Sequence, residues 1–193
     1  MIDLGVRTIL RIAVCGMMLA MLSVPAAWAQ DGEQVVPVYV EDSPLVQDAV
    51  ARAEHLRSQD RLNEAAGAYQ KVIEEHGRKL YAVGPLSYVD AAVWAKRTIR
   101  NDPTLLEAYR RLHGPTAERL LEEAIDAGRE IGPLSQLHDR YALTRSGLEA
   151  GLMLAGLLLE QGRTDWASSV LAGMQTHPDL SQVRRRWLEL GAW

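Results

Sequence analysis

Leu152–Leu171 reads LMLAGLLLEQGRTDWASSVL, and Val50–Tyr69 reads VARAEHLRSQDRLNEAAGAY. Laid over one another at an offset of 102 residues, Ala53 falls on Ala155, Leu56 on Leu158, Ala65 on Ala167 and Tyr69 on Leu171. The polar breaks coincide as well, Gln59-Asp60 on Gln161-Gly162. Each stretch holds two apolar segments of helical period around a short turn. Small side chains at the matched alanines let two helices approach closely, and the bulky ones fill the groove to the next pair. These two stretches decide the fold class, which is all-α.

Outward from them, the rest of residues 43–193 reads as short helices punctuated by Gly, Pro and Asp. Ser43-Pro44 is an N-cap followed by Pro at the first helical position. Leu45, Ala49, Ala53 and Leu56 form the first stripe, and Leu62, Ala65, Ala66, Tyr69, Val72 and Ile73 the second, which ends at His76-Gly77 with Gly77 as the C′ residue. A third helix is expected from about Leu86 to Arg100, with Tyr88, Ala91, Ala92, Ala95 and Ile99 inward. Asp102-Pro103 opens a fourth, carrying Leu105, Leu106, Tyr109 and Leu112. Gly114-Pro115 is expected to break it and start another, which Gly128 stops. Gly132-Pro133 opens a short helix through Leu134, Leu137 and Tyr141. Ser146 and Glu149 have capping-box spacing ahead of Leu148–Glu160, apolar nearly all round and so expected to be buried. Gly162 ends that helix, Thr164 or Asp165 caps the next, and His177-Pro178 precedes a last one with Val183, Trp187 and Leu190.

The order small, bulky, turn, small, aromatic or Leu in the two matched stretches resembles the tetratricopeptide pattern. The 102-residue offset equals three periods of about 34 residues. The intervening Ile99 and Pro133 depart from the small residue the pattern wants. The resemblance implies a short right-handed α-solenoid of helical hairpins with a concave inner wall. By analogy, the groove positions are Gln47, Glu54 and Arg57 in the first unit and Glu149 and Glu160 in the second. A wider and looser resemblance covers residues 38–180: VYVEDSP, one repeat, a block ending LHDRYALTRSGLEA, and a repeat closing at HPDL. This order looks like the helical region that precedes pyrroloquinoline-quinone-type β-propeller repeats in large exported bacterial envelope proteins. It implies the helical portion without its propeller, so no cofactor is carried over.

Residues 1–29 read as a signal peptide. Arg7 and Arg11 precede the apolar run Ile12–Val24, and Ala27 and Ala29 supply the small residues for cleavage. Thirteen apolar residues fall short of the roughly 20 that span a bilayer, so no stable membrane span is expected after cleavage. Cleavage after Ala29 removes Cys15, the one cysteine, and excludes thiolate chemistry and disulfides from the mature chain. Residues 30–42, with Val35-Val36-Pro37-Val38-Tyr39-Val40, are expected to form an extended arm.

The chain's 193 residues, 48% hydrophobic and 24% charged, fit one domain, and a net charge of −4 gives no reason to expect nucleic acid. His55, His76, His113, His138 and His177 each stand alone, without metal-ligand spacing. Glu74-Glu75 and Glu122-Glu123 read as solvated faces, without the neighbours that a cell-wall hydrolase needs around its acid. No phosphate loop or GxSxG elbow occurs. Arg184-Arg185-Arg186 reads as a solvated helix end, Trp94 and Trp166 as core, and Trp187 as closing the last apolar layer. The expectation is therefore an exported, non-catalytic scaffold, periplasmic or outer-membrane-associated, that needs no cofactor. Its partner would be a protein or peptide of the envelope, a β-propeller domain among the possibilities. The accessory region of a β-propeller protein is the alternative reading, and a helical cell-wall hydrolase a lesser one.

Overall fold

The computed structural model describes residues 44–84 and 87–192. The residues expected to form a signal peptide, with Ala27 and Ala29, those expected to form an arm at 30–42, and Ser43 lie outside the described residues. The described chain is mostly helical, with eight helices and one two-stranded sheet. In order they are α1 (Pro44–Ser58), α2 (Leu62–His76), β1 (Leu80–Gly84), β2 (Ser87–Asp90), α3 (Ala91–Asn101), α4 (Pro103–Asp126), α5 (Ile131–Tyr141), α6 (Arg145–Glu160), α7 (Thr164–Met174) and α8 (Leu180–Gly191). Among the described residues no helix is long and apolar enough to cross a membrane.

Helices pack mainly on those one or two places along the chain: α1 on α2, α2 on α3 and α4, α5 on α6, α6 on α7 and α8. Two apolar clusters result. The first joins α1–α3 to the N-terminal half of α4 around Tyr69, Ile99, Leu105 and Tyr109. The second joins the C-terminal half of α4 to α5–α7 around Leu134, Leu148, Leu154 and Leu158. Ala53, Ala65, Ala155 and Ala167 are all 0% exposed, which places them where the helices of each pair meet.

The turns of the two matched stretches agree bond for bond. Arg61 N–H donates to the Leu56 carbonyl at 3.1 Å and Asp60 N–H to that of Arg57 at 3.0 Å. At the same offset, Arg163 N–H donates to Leu158 at 2.8 Å and Gly162 N–H to Leu159 at 2.9 Å. This pair of bonds defines the Schellman helix end, which requires a left-handed residue. Asp60 takes that conformation at φ 58° and Gly162 at φ 70°. The residue after each turn has nearly the same dihedrals, φ −84° and ψ 60° at Arg61, φ −89° and ψ 58° at Arg163. The two turns therefore predict opposite outcomes. Asp60→Gly relieves a side chain from the left-handed region and should stabilise the protein by about 0.5–1 kcal/mol, while Gly162→Ala should cost about 1 kcal/mol. Urea unfolding of both variants checks the signs.

Several local expectations need correction. In α1, Leu45 is exposed and Val46 and Val50 are buried in its place, while Ala53 is buried and Ala49 and Leu56 pack against the first cluster as expected. Gly77 ends α2 in right-handed conformation, so left-handed freedom is not its reason. A Cβ there would lie 2.4 Å from the Ile73 carbonyl oxygen and 3.1 Å from Ala92 Cβ, so close approach excludes larger residues. The predicted third helix begins at Ala91, because the preceding residues form an antiparallel hairpin in which Tyr81 pairs with Val89 and Ala82 with Tyr88. Tyr81 turns inward onto Trp94, ring centroids 4.9 Å apart, while Tyr88 stays exposed. Ala91, Ala95 and Ile99 are buried as expected.

Pro115 does not break α4, which runs 24 residues through Gly114-Pro115. Its two halves belong to different apolar clusters, with Tyr109 on one side of the proline and Ala117 on the other, so burial holds both ends in helix. Pro115 and Arg111, whose carbonyl loses its partner, are exposed to water. Leu112 is also exposed. Asp102 caps α4 as expected, accepting from the N–H groups of Thr104 and Leu105 at 3.2 Å each. The cap of α6 is Thr144, not Ser146: its Oγ1 accepts from Gly147 N–H at 3.0 Å and donates to the Tyr141 carbonyl at 2.8 Å. Because that hydroxyl is buried, Thr144→Ala should cost about 2 kcal/mol, at the upper end for a cap, in a chemical-unfolding measurement. The start of α7 shows no side-chain cap from Thr164 or Asp165.

Candidate functional site

The residues predicted to line a groove divide between the two clusters. Gln47 is exposed on α1. Glu54 and Arg57 meet: Arg57 Nη2 donates to Glu54 Oε2 at 2.8 Å, and Tyr69 OH to Glu54 Oε1 at 2.7 Å. Arg57 Nη1 also lies 3.6 Å from the carboxylate of Asp102. This pair thus ties α1 to α2 and to the start of α4. Glu149 is taken by Arg186 of α8 at 2.6 Å. Glu160 is exposed at the far end of α6, about 16 Å along the helix from Glu149. Gln47 and Glu160 remain open, while the three between them are engaged by other parts of the fold.

A polar seam crosses the junction of the two clusters. Tyr109 OH, fully buried, donates to Gln70 Oε1 at 2.7 Å, and Gln70 Nε2 donates to Glu74 at 2.8 Å and to the Arg140 carbonyl at 3.2 Å. Tyr141 OH donates to the same Glu74 oxygen at 3.3 Å. Burial pushes the Tyr109 phenol far above its ordinary range, so it keeps the proton it donates. Glu74 therefore has, besides Gln70 on its own helix, an aromatic neighbour in Tyr141 of α5 that its surrounding sequence did not reveal. The bonds of the seam hold the two clusters in register. Tyr109→Phe leaves Gln70 short of a donor and should cost about 1–3 kcal/mol, read by thermal unfolding.

Next to the seam lies a cleft of about 330 Å³, lined by α3, the α5–α6 turn and the end of α7. Val93, Lys96, Arg97 and Arg100 line one wall; their spacing of three, four and seven residues puts them on one face of α3. Ala142, Leu143 and Met174 supply an apolar floor, and Thr176, His138 and His177 the opposite side. The Arg100 guanidinium donates to the Thr176 hydroxyl across the cleft. Among the described residues, no carboxylate pairs within 4.0 Å with Lys96, Arg97 or Arg100. Burial lowers the Lys96 pKa, with Asp139 pulling it back up.

The two imidazoles are neutral at pH 7. Burial lowers the pKa of His138, whose Nδ1 meets the Gly147 carbonyl at 3.0 Å. Burial likewise takes His177 down to about 4; its Nδ1 accepts from Asp179 N–H at 3.0 Å, and Asp179 is itself paired with Arg110 at 2.7 Å. Because the folded state binds this proton more weakly than the unfolded chain, the unfolded state holds more protons between about pH 4 and 6.5. Stability should therefore fall as pH drops through that window, and His177→Gln should flatten the fall; unfolding midpoints at pH 7 and 4.5 test it.

Trp166 is not core: it is 39% exposed, with the Arg163 guanidinium 4.2 Å from its ring centroid. Trp187 closes the second cluster as expected, its Nε1 donating to the Leu171 carbonyl at 2.9 Å. The described residues contain no group of three or more His, Cys, Asp or Glu placed to hold a metal ion. Comparison with family models, with curated proteins and with solved structures found no match to this chain.

Proposed function

We propose that this protein is an exported, non-catalytic scaffold of the cell envelope whose helical hairpins, stacked in the manner of tetratricopeptide repeats, present a wall to a protein or peptide partner. One observation carries the reading: the turns at Asp60 and Gly162 repeat one another in hydrogen bonds and dihedrals, with a fully buried alanine at each matched position. Hairpins built to one plan, and helices that pack mainly on their chain neighbours, are what stacking units require. Glu54, Arg57 and Glu149 serve the fold, so the wall is left to residues such as Gln47 and Glu160 and to the basic face of α3.

The test is site-specific photo-cross-linking in the envelope from Gln47, Arg97 and Glu160. The expected result is one dominant conjugate shared by at least two positions. A monomeric protein that yields no conjugate from any of the three overturns the reading.

The second reading, an accessory region of a β-propeller protein, is favoured by the hairpin β1–β2, where Leu80, Val83 and Tyr88 stand exposed on strands able to meet another sheet.

A further inference from the structure

We propose that the cleft between α3 and the α5–α6 turn binds an extended acidic peptide of the pattern acidic–any–acidic, with its two carboxylates on Lys96, Arg97 and Arg100. The inference rests on the scaffold reading only for the occupant being a peptide.

Charge comes first. Three cations share one face of α3, and the described residues offer them no carboxylate partner. The negative end of the α3 dipole accounts for Arg100, but Lys96 and Arg97 stand a turn earlier. Asp139 is the acid whose charge reaches Lys96, and it leaves the three cations in excess.

Spacing comes second. Lys96 and Arg100 are separated by about 6 Å along the helix axis. Residues i and i+2 of an extended chain point the same way and lie about 6.6 Å apart. Two carboxylates in that pattern therefore meet the wall together, whereas adjacent acidic residues point to opposite sides. The surroundings come third. Burial disfavours the charged form of His138 and His177, so they do not add to the charge of the wall, and Ala142, Leu143 and Met174 offer an apolar floor to a neighbouring side chain. A cavity of about 330 Å³ admits side chains of a peptide but not a folded domain. Low polarity on one side strengthens each charge-assisted hydrogen bond on the other.

Fluorescence anisotropy tests this with the purified protein and three labelled peptides that differ only at their centre: Glu-Thr-Glu, Gln-Thr-Gln and Glu-Glu-Thr. The Glu-Thr-Glu peptide should bind, more weakly as salt rises, and at least about tenfold better than the other two. Arg97→Glu, at an exposed position that carries no packing, should lose at least about tenfold, and Arg52→Glu, exposed on α1, should change nothing. Equal binding of Glu-Thr-Glu and Gln-Thr-Gln, unchanged binding by Arg97→Glu, or binding of free citrate without binding of any peptide would each overturn the proposal. The scaffold reading is judged separately. An envelope conjugate that persists in Arg97→Glu removes the cleft and leaves the scaffold; peptide binding without any envelope conjugate does the reverse.

Discussion

Gly147→Ala is expected to be the most damaging single-methyl change in the protein. A Cβ at this position would sit 2.0 Å from the Tyr141 carbonyl oxygen and 2.5 Å from its carbon, and both are main-chain atoms in a tight turn. No rotamer relieves that contact. Either α6 moves away from α5 or the turn opens, and the turn is already committed: Tyr141 O accepts from Thr144 N–H at 2.9 Å and from Thr144 Oγ1 at 2.8 Å. Gly147 also donates to the Thr144 cap and receives His138 at its carbonyl. The expected cost is about 3 kcal/mol, at the upper end for overpacking, measured as a fall in the urea midpoint at unchanged slope. Gly173→Ala is the control: its Cβ would meet nothing within 4 Å, so it should be neutral or slightly stabilising. If Gly147→Ala unfolds like the parent protein, the close packing of α5 and α6 is wrong.

The second large effect is expected at the matched alanines. Ala53→Leu and Ala155→Leu each add three heavy atoms where exposure is already 0%. Each should cost about 2–3 kcal/mol, because paired helices cannot admit a branched side chain without separating. The comparison between them carries more than either value. Equal costs mean two hairpins with one packing plan; a large cost at Ala155 with none at Ala53 would leave only a local coincidence of turns. Ala51→Leu, exposed on α1, supplies the baseline.

The most legible parts of this fold are those set by local chemistry. Asp102-Pro103 caps α4 because a carboxylate two and three residues ahead of free N–H groups needs nothing from the rest of the chain. Gly128 and Gly162 end helices because they alone cross into left-handed backbone without cost, and both do so. The apolar circumference of Leu148–Glu160 requires burial on several sides, and α6 indeed packs on α5, α7 and α8. Where a local signal competes with burial, it fails as a guide. Gly114-Pro115 is a strong breaker, yet α4 passes through it because clusters on both sides reward continuing. The stretch from about Leu86 reads as the start of a helix, yet Leu80–Gly84 and Ser87–Asp90 pair as antiparallel strands, and Tyr81 lies tilted against Trp94 of α3 over the first cluster.

Site residues divide in the same way. Glu54, Arg57 and Glu149 could be named from analogy, but not their partners, which lie 15, 45 and 37 residues away. Lys96, Arg97 and Arg100 carry no motif that marks them in the sequence, and only folding brought them to one cleft with Thr176 and the two histidines.

The amino-acid sequence alone determines that this protein is helical and where most of its helices stop; these follow from side-chain period and backbone preference over a few residues. Which helices share a core, which acidic residues are spent on the fold, and where a cleft opens were decided only by tertiary structure. Those outcomes depend on the free energy of burying surfaces far apart in the chain, and no short window of residues contains that sum.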